Sequence, residues 1–309
     1  MSDGSTTGTG ATDSYRVAER TFWARHGLEP VDRWVDVGGA RVRVQDVGSG
    51  TPTVLVHGTG GSGAYFAPLI ANLEGVRALA IDRPGWGFSD PVDFSARQYR
   101  DIVVDVMRRV LDTLEIERAH VVGASIGNLW ALRLAQAAPD RVDRMVLLGG
   151  APISPEVTVP PFIKLLRTPV GRVIVALPEK PGMFRKQLAQ MGHGATLRSG
   201  DGMDAFVEWH GALTRGTQWG RNERDMVRAI VSREGFVPGL VPTTEEIASI
   251  ATPTLMVYGD ADPVGSLHTW EGFVRSMPVA ELTVVPAGGH VVWLDDPARV
   301  GKVVSTFLA

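Results

Sequence analysis

Short, unbroken apolar runs recur along the chain, and most of them end in glycine, proline or aspartate. They are Thr53–Val56, Ala78–Ile81, His120–Val122, Met145–Leu148, Thr254–Tyr258 and Leu282–Val285. Runs of this length and finish predict strands buried on both faces. Between them, apolar residues three and four apart predict helices over about 66–74, 99–114, 126–138, 266–276 and 297–308. Two alternating runs, Trp34–Val37 and Val42–Val47, precede this series. Gly38-Gly39 between them reads as a hairpin turn. Strands alternating with helices predict an α/β fold built on a mostly parallel, eight-stranded sheet with helices on both faces.

One stretch breaks the rhythm. Between Gly150 and Ile250 the apolar spacing is helical throughout, and prolines 152, 155, 160, 161 and 169 punctuate its start. A structureless loop of that size is improbable in a folded domain, so the pattern predicts a helical cap over 151–250. The core is then 14–150 together with 251–309. A helix is expected from about Ser14 to His26, stopped at Gly27. The small polar residues 1–13 are expected to be a disordered tail rather than a signal peptide.

Composition narrows the classes. The chain has 309 residues, a net charge of −3 and 44% hydrophobic residues, which suits one large domain or a core with an inserted subdomain. There is no cysteine, so no disulfide, thiolate nucleophile or cysteine metal site can form, and a cytoplasmic location is expected. The near-neutral balance argues against a nucleic-acid or anionic-membrane partner. No apolar run reaches the roughly 18–20 residues that span a bilayer.

The chemistry concentrates where predicted strands end. Gly123-Ala124-Ser125-Ile126-Gly127 is a G-x-S-x-G pentapeptide that follows a buried strand and opens an amphipathic helix. In that setting the glycines allow a strained turn that projects Ser125 above the sheet; elsewhere the serine would be a helix cap. A serine nucleophile needs a base. His290 follows the last strand in a glycine-rich loop, whereas His120 stands at the wrong end of its strand and His57 opens a separate loop. His193 and His210 fall in the cap, where they can face a pocket. The imidazole in turn needs a carboxylate. Asp262 fits, with Asp260 two residues before it as the alternative. The order Ser, Asp, His then follows. Backbone N–H groups of Ile126 and of Thr59, in the loop His57–Gly63, are the expected oxyanion donors. The same loop lacks the Gly-Lys-Ser/Thr ending of a phosphate loop. This chemistry requires no metal and no cofactor.

On these residues the chain resembles the α/β-hydrolase superfamily. The matching pieces are His57-Gly58, Asp82–Ser89, the elbow, Gly259–Asp262 and Gly289-His290, which cover roughly 32–150 and 251–309. The resemblance implies a Ser-Asp-His hydrolase with an inserted cap, and a structural role for Asp82–Ser89. Many relatives carry a second glycine after the elbow; Asn128 stands there instead, expected to be a local packing partner. Ser125 sets the chain apart from the superfamily's dehalogenases and epoxide hydrolases, which place aspartate at the elbow. Gly58, Gly60, Trp130, Phe162 and Trp209 are candidates for lining a pocket, with core packing as the alternative for the aromatic ones. A hydrophobic small molecule is the expected substrate, and the protein is expected to be a monomer or homodimer. Hydrolysis of an ester or lactone is the leading expectation. Cleavage of a carbon–carbon bond by the same triad is the second, prompted by a loose likeness of the His57–Gly60 loop to enzymes that act on ring-fission products. A receptor-like binding module is the third.

Overall fold

The computed structural model describes residues 6–94, 98–171, 181–200 and 203–309. Its eight strands are β1 (Val31–Val37), β2 (Ala40–Gly48), β3 (Thr51–Val56), β4 (Val76–Ile81), β5 (Ala119–Ala124), β6 (Val142–Leu148), β7 (Thr254–Gly259) and β8 (Ala280–Val285). They form one sheet in the order β1-β2-β4-β3-β5-β6-β7-β8. β2 runs antiparallel to both neighbours, and β3 to β8 are parallel. The hairpin forms at Gly38-Gly39, whose φ angles of 66° and 92° meet the left-handed requirement of a tight two-residue loop.

Alternation along each strand divides the core in two. Val54, Val56, Leu79, Ile81, Val121, Met145 and Leu147 point to one face, where the helices Tyr99–Thr113, Ile126–Ala137 and Leu267–Arg275 pack. Leu55, Ala78, Ala80, Val122, Val146 and Leu148 point to the other, beneath the helices Thr6–Arg25 and Pro297–Leu308. Because the parallel strands all point one way, the loops after β3, β5, β6, β7 and β8 emerge at one edge. That edge is where an open α/β sheet presents a site.

The segment between β6 and β7 is mostly helical where it is described, with irregular stretches at about 149–160 and 232–243. Its helices are Pro161–Leu166, Pro181–Leu188, Gly194–Ser199, Met203–Gly216, Trp219–Ile230 and Thr244–Ala248. Among the described residues it adds no strand to the sheet and makes one isolated bridge, Val231 to Phe236. The helix Met203–Gly216 sends Phe206, Trp209 and Leu213 into the cluster on one face. The helix Trp219–Ile230 sends Met226, Val227 and Ile230 into the other. The insertion therefore straddles the edge where the strands end.

The N-terminus departs from expectation. Residues 1–13 read as a disordered tail, yet the first helix begins at Thr6. The Thr12 hydroxyl donates to the Gly216 carbonyl at 3.1 Å. A Cβ on Gly216 would lie 2.5 Å from Tyr15 Cβ. Small residues that look featureless in sequence permit this close packing, and their partner lies 204 residues away.

Candidate active site

Ser125 follows β5 with φ 53° and ψ −125°, a conformation that a residue with a side chain avoids unless its surroundings impose it. Two glycines make the turn possible. A Cβ on Gly123 would lie 2.5 Å from the Gly127 carbonyl oxygen. A Cβ on Gly127 would collide with the Val56 carbonyl at the end of β3. The Ser125 N–H donates to the Leu148 carbonyl at 3.0 Å, which ties the elbow to β6. Asn128 reinforces that tie. Its amide donates to the carbonyls of Leu148 (3.2 Å) and Gly149 (2.9 Å) and accepts from the Leu148 N–H at 3.1 Å. The residue expected to pack locally thus holds the elbow helix to the end of the neighbouring strand.

Gly150, just beyond, leads to the acid. The Asp262 side chain is fully buried and His290 is about one-tenth exposed. His290 Nδ1 lies 3.0 Å from both Asp262 carboxylate oxygens. Oδ2 also accepts the Gly150 N–H at 2.7 Å, and Oδ1 the Val264 N–H at 2.8 Å. The structure therefore separates the two candidate acids. Asp260 is exposed, and its Oδ1 accepts the Ala287 N–H at 2.6 Å instead of holding the imidazole.

The loop after β3 runs against the nucleophile. A Cβ on Gly58 would sit 2.8 Å from Ser125 Cβ, so only glycine fits there. His57 is fully buried beneath the loop. Its Nδ1 donates to the Gly58 carbonyl at 2.8 Å, and its Nε2 accepts the Arg83 N–H at 3.1 Å. Burial, and then the Arg83 guanidinium, push this imidazole well below its usual range, so it is a neutral support. Thr59 and Gly60 are half-buried and Ile126 is buried. Gly60 has φ 75°, and a Cβ there would lie 3.3 Å from His210 Nε2 of the insertion.

All three proposed lining aromatics are packed elsewhere or only partly described. Trp130 is fully buried, and its indole N–H donates to the Tyr99 hydroxyl at 2.9 Å. It fastens the elbow helix to the helix Tyr99–Thr113 and does not join the Ser125 group. Phe162 lies on the helix Pro161–Leu166, but its side chain is outside the described residues. Trp209 is 1% exposed and stacks on Phe22 of the first helix with ring centroids 5.3 Å apart.

Sequence reasoning passed over Glu223. It is 1% exposed, on the helix Trp219–Ile230. Trp86 Nε1–H donates to its Oε2 at 3.1 Å. Burial pushes this carboxyl up to about 7, against the opposing pull of Arg83, Trp86 and the Gly60 N–H. No motif marks it, and helical spacing shows only that it shares a face with Met226, Val227 and Ile230. Arg83 is already engaged: it donates to the Gly58 carbonyl at 3.0 Å and lies 4.2 Å over the Trp86 ring. Among the described residues, no group of three or more histidine, aspartate or glutamate side chains gathers to hold a metal ion. No described helix is long and apolar enough to cross a membrane.

Comparison with known proteins gives the family and the fold. The chain is 29% identical over 295 residues to the 2-hydroxymuconate semialdehyde hydrolase of Pseudomonas sp. (strain CF600), covering 90% of this chain and 94% of that one. It is 28% identical over 281 residues to a 2-hydroxy-6-oxononadienedioate/2-hydroxy-6-oxononatrienedioate hydrolase of Cupriavidus pinatubonensis, covering 87% and 90%. Among solved structures it resembles a meta-cleavage product hydrolase from Pseudomonas fluorescens IP01, with 25% identity, a TM-score of 0.70 and coverage of 89% and 97%. It shares the fold of naproxen esterase from Bacillus subtilis at 22% identity, with a TM-score of 0.77 over the full length of both chains. The sheet, the elbow and a family model matching residues 53–303 place this chain in the alpha/beta hydrolase family.

Proposed function

We propose that the protein is a serine hydrolase that opens a carboxylic ester or lactone of a hydrophobic small molecule through an acyl-enzyme on Ser125. One observation carries the reading: a strained Ser125 shares the sheet edge with an imidazole held through Nδ1 by the buried Asp262. With Nδ1 donating to the carboxylate, Nε2 is left as the acceptor that a general base needs. His290 takes the Ser125 hydroxyl proton as the oxygen attacks the carbonyl carbon. The N–H groups of Thr59 and Ile126 receive the oxyanion. His290 then returns the proton to the departing alkoxide, and next activates the water that releases the acid. Gly58 and Gly60 line the approach, the helical segment 151–250 serves as the cap, and Trp209 packs the cap's base.

A second reading is cleavage of a carbon–carbon bond by the same triad, supported by relatives named as hydrolases of 2-hydroxymuconate semialdehyde and of meta-cleavage products. Charge separates the two. Substrates named as dienedioates bring carboxylates, whereas the loop His57–Gly63 already faces the Glu223 and Asp82 carboxyls, and its Arg83 neighbour is engaged. The test is turnover of p-nitrophenyl butyrate, a γ-lactone and a hydroxy-oxo-dienoate by wild type and Ser125→Ala. Ester or lactone turnover that falls at least about 10³-fold in the variant is expected. A kcat/KM for the dienoate well above that for the esters would give the second reading precedence, and unchanged turnover in Ser125→Ala would remove both.

A further inference from the structure

The insertion reaches the candidate base through a histidine that the mechanism above does not use. His193 is fully buried. It closes Ala189–His193, a single π-turn in which Gly192 has φ 95°. Single π-turns of this kind are frequent at functional sites. The turn is wedged between two loops. A Cβ on Gly192 would lie 2.5 Å from the Ala261 carbonyl oxygen, beside the acid, and 2.7 Å from Gly289 Cα, beside the base. A Cβ on Gly289 would lie 2.6 Å from His193 Cε1.

The hydrogen bonds show what the wedge does. Three consecutive backbone N–H groups flank and include His290. Gly289 donates to Asp295 Oδ2 at 2.7 Å. His290 donates to the Met191 carbonyl at 2.9 Å. Val291 donates to His193 Nε2 at 3.1 Å. Because Nε2 accepts, the proton of a neutral ring sits on Nδ1, which donates to Asp295 Oδ2 at 2.9 Å. The Thr196 hydroxyl donates to the other oxygen of Asp295. Two of the three acceptors therefore belong to the insertion. The third is a carboxylate that the insertion holds in place with two donors.

We propose that His193 is a positioning residue: through Val291 and Asp295 it fixes the backbone that carries His290, so the base is aligned only while the segment 181–199 is docked. The inference rests on His290 being the base of the triad. It explains why a fully buried position holds histidine, whose two nitrogens join a backbone donor to a carboxylate, where an apolar side chain would fill the space. It also ties the insertion to the alignment of the base, because undocking it to admit substrate would release two of the three amides and free Asp295, which holds the third, from both of its donors.

The test uses His193→Phe, which keeps a flat ring without nitrogens, and His193→Gln, whose side-chain oxygen can still accept the Val291 N–H. Melting temperature establishes folding. The readouts are kcat and KM for p-nitrophenyl butyrate, the rate of Ser125 labelling by a fluorophosphonate probe, and the acidic limb of the kcat/KM–pH profile. In His193→Phe, kcat and the labelling rate should fall together by about 10–100-fold, the scale of a displacement near 1 Å. KM should stay within about threefold, the acidic limb should move, and His193→Gln should recover part of the loss. A folded His193→Phe with wild-type kcat, labelling and pH profile would overturn the proposal. If that variant does not fold, His193→Gln and Thr196→Val decide by the same readouts, each with an expected loss of about threefold or more. Ser125→Ala separates the two levels of the argument. If it still turns over ester, the triad assignment itself fails. If it is inactive while the folded His193 and Thr196 variants match wild type, the positioning role alone fails.

Discussion

Replacing Asp262 by asparagine tests the acid with little change in shape. The carboxylate faces a donor on every side: Oδ2 takes the Gly150 N–H at 2.7 Å, Oδ1 takes the Val264 N–H at 2.8 Å, and His290 Nδ1 lies 3.0 Å from both. Asparagine turns one of these oxygens into a donor. Whichever way the amide sits, its NH₂ opposes a backbone N–H, and an unsatisfied buried donor costs about 1–3 kcal/mol. The amide also confronts Nδ1 of His290. The imidazole relieves that clash by moving its proton to Nε2, where it can no longer receive the Ser125 proton. A wrong tautomer of this kind lowers kcat by about 10⁴-fold in a Ser-His-Asp hydrolase, equivalent to about 5 kcal/mol of barrier. The assay is kcat for p-nitrophenyl butyrate, with thermal unfolding to confirm the fold. Asp260→Asn is the control, since Asp260 is exposed and holds only the Ala287 N–H; its kcat should stay within about threefold of wild type. A folded Asp262→Asn that loses less than about tenfold, or an Asp260→Asn that loses as much, would refute the assignment.

Other expectations follow from the same geometry. Glu223 is held up to about 7 against an ordinary value of 4.5. Below about pH 4.5 it is neutral in both the folded and unfolded chain. As pH rises towards about 7, the unfolded chain loses the proton first, so stability falls by up to roughly 3 kcal/mol and then levels off. Glu223→Gln removes this penalty, so urea unfolding should show the variant gaining on wild type across that interval; a flat difference would contradict the burial argument. Gly58→Ala places a Cβ 2.8 Å from Ser125 Cβ and 3.1 Å from the Ala124 carbonyl oxygen. Its kcat should fall about 10²-fold as the loop shifts, with the fold kept, and wild-type kcat would show that the loop is not pinned there. Trp130→Phe removes the donor to the Tyr99 hydroxyl, which keeps its contact with Met226 Sδ at 3.7 Å, and should lower stability by about 0.5–1.5 kcal/mol while KM for the ester holds. A raised KM at unchanged melting temperature would return Trp130 to the pocket.

The proposed triad could be picked out because each of its members follows the end of a strand, and strand ends are what apolar runs and glycines mark most clearly. The choice between Asp260 and Asp262 was not, since both share one loop. It turns on the N–H groups of Gly150 and Val264, which only the folded chain brings there. Whether Trp130 lines a pocket or packs in the core was open for a related reason. Nearness to Ser125 in sequence says nothing about which side of the elbow helix a residue takes, and this one turns towards Tyr99. The insertion resisted reading most. His193 acts on Val291, 98 residues away, and Thr12 on Gly216, 204 residues away. Local periodicity reveals helices of this kind without revealing what they hold.

Those distant contacts place the strained parts of the site under the control of elements outside the sheet. On the side of the loop His57–Gly63, Arg43 is 2% exposed and pairs with three carboxylates, Glu19, Asp82 and the partly exposed Asp32. It reaches Glu19 of the first helix at 2.7 and 2.8 Å, and its Nε donates to Asp82 at 2.8 Å. Asp82 in turn accepts the Gly63 N–H at 2.7 Å, at the far end of the His57–Gly63 loop. The Tyr15 hydroxyl bridges Glu19, at 2.7 Å, and Ser62, at 3.1 Å. A buried ion cluster of this type adds little net stability over an apolar core of equal volume, yet losing one member leaves an uncompensated charge and costs about 3–5 kcal/mol. Its worth here is therefore geometric: it fixes one end of the loop proposed to supply an oxyanion donor, just as the insertion is proposed to fix the loop that carries His290. Preorganised donors stabilise a transition state only if they need not move to meet it. The first helix lies outside the residues matched by the family model, so the contacts of Glu19 and Tyr15 that brace the proposed oxyanion loop come from beyond that match.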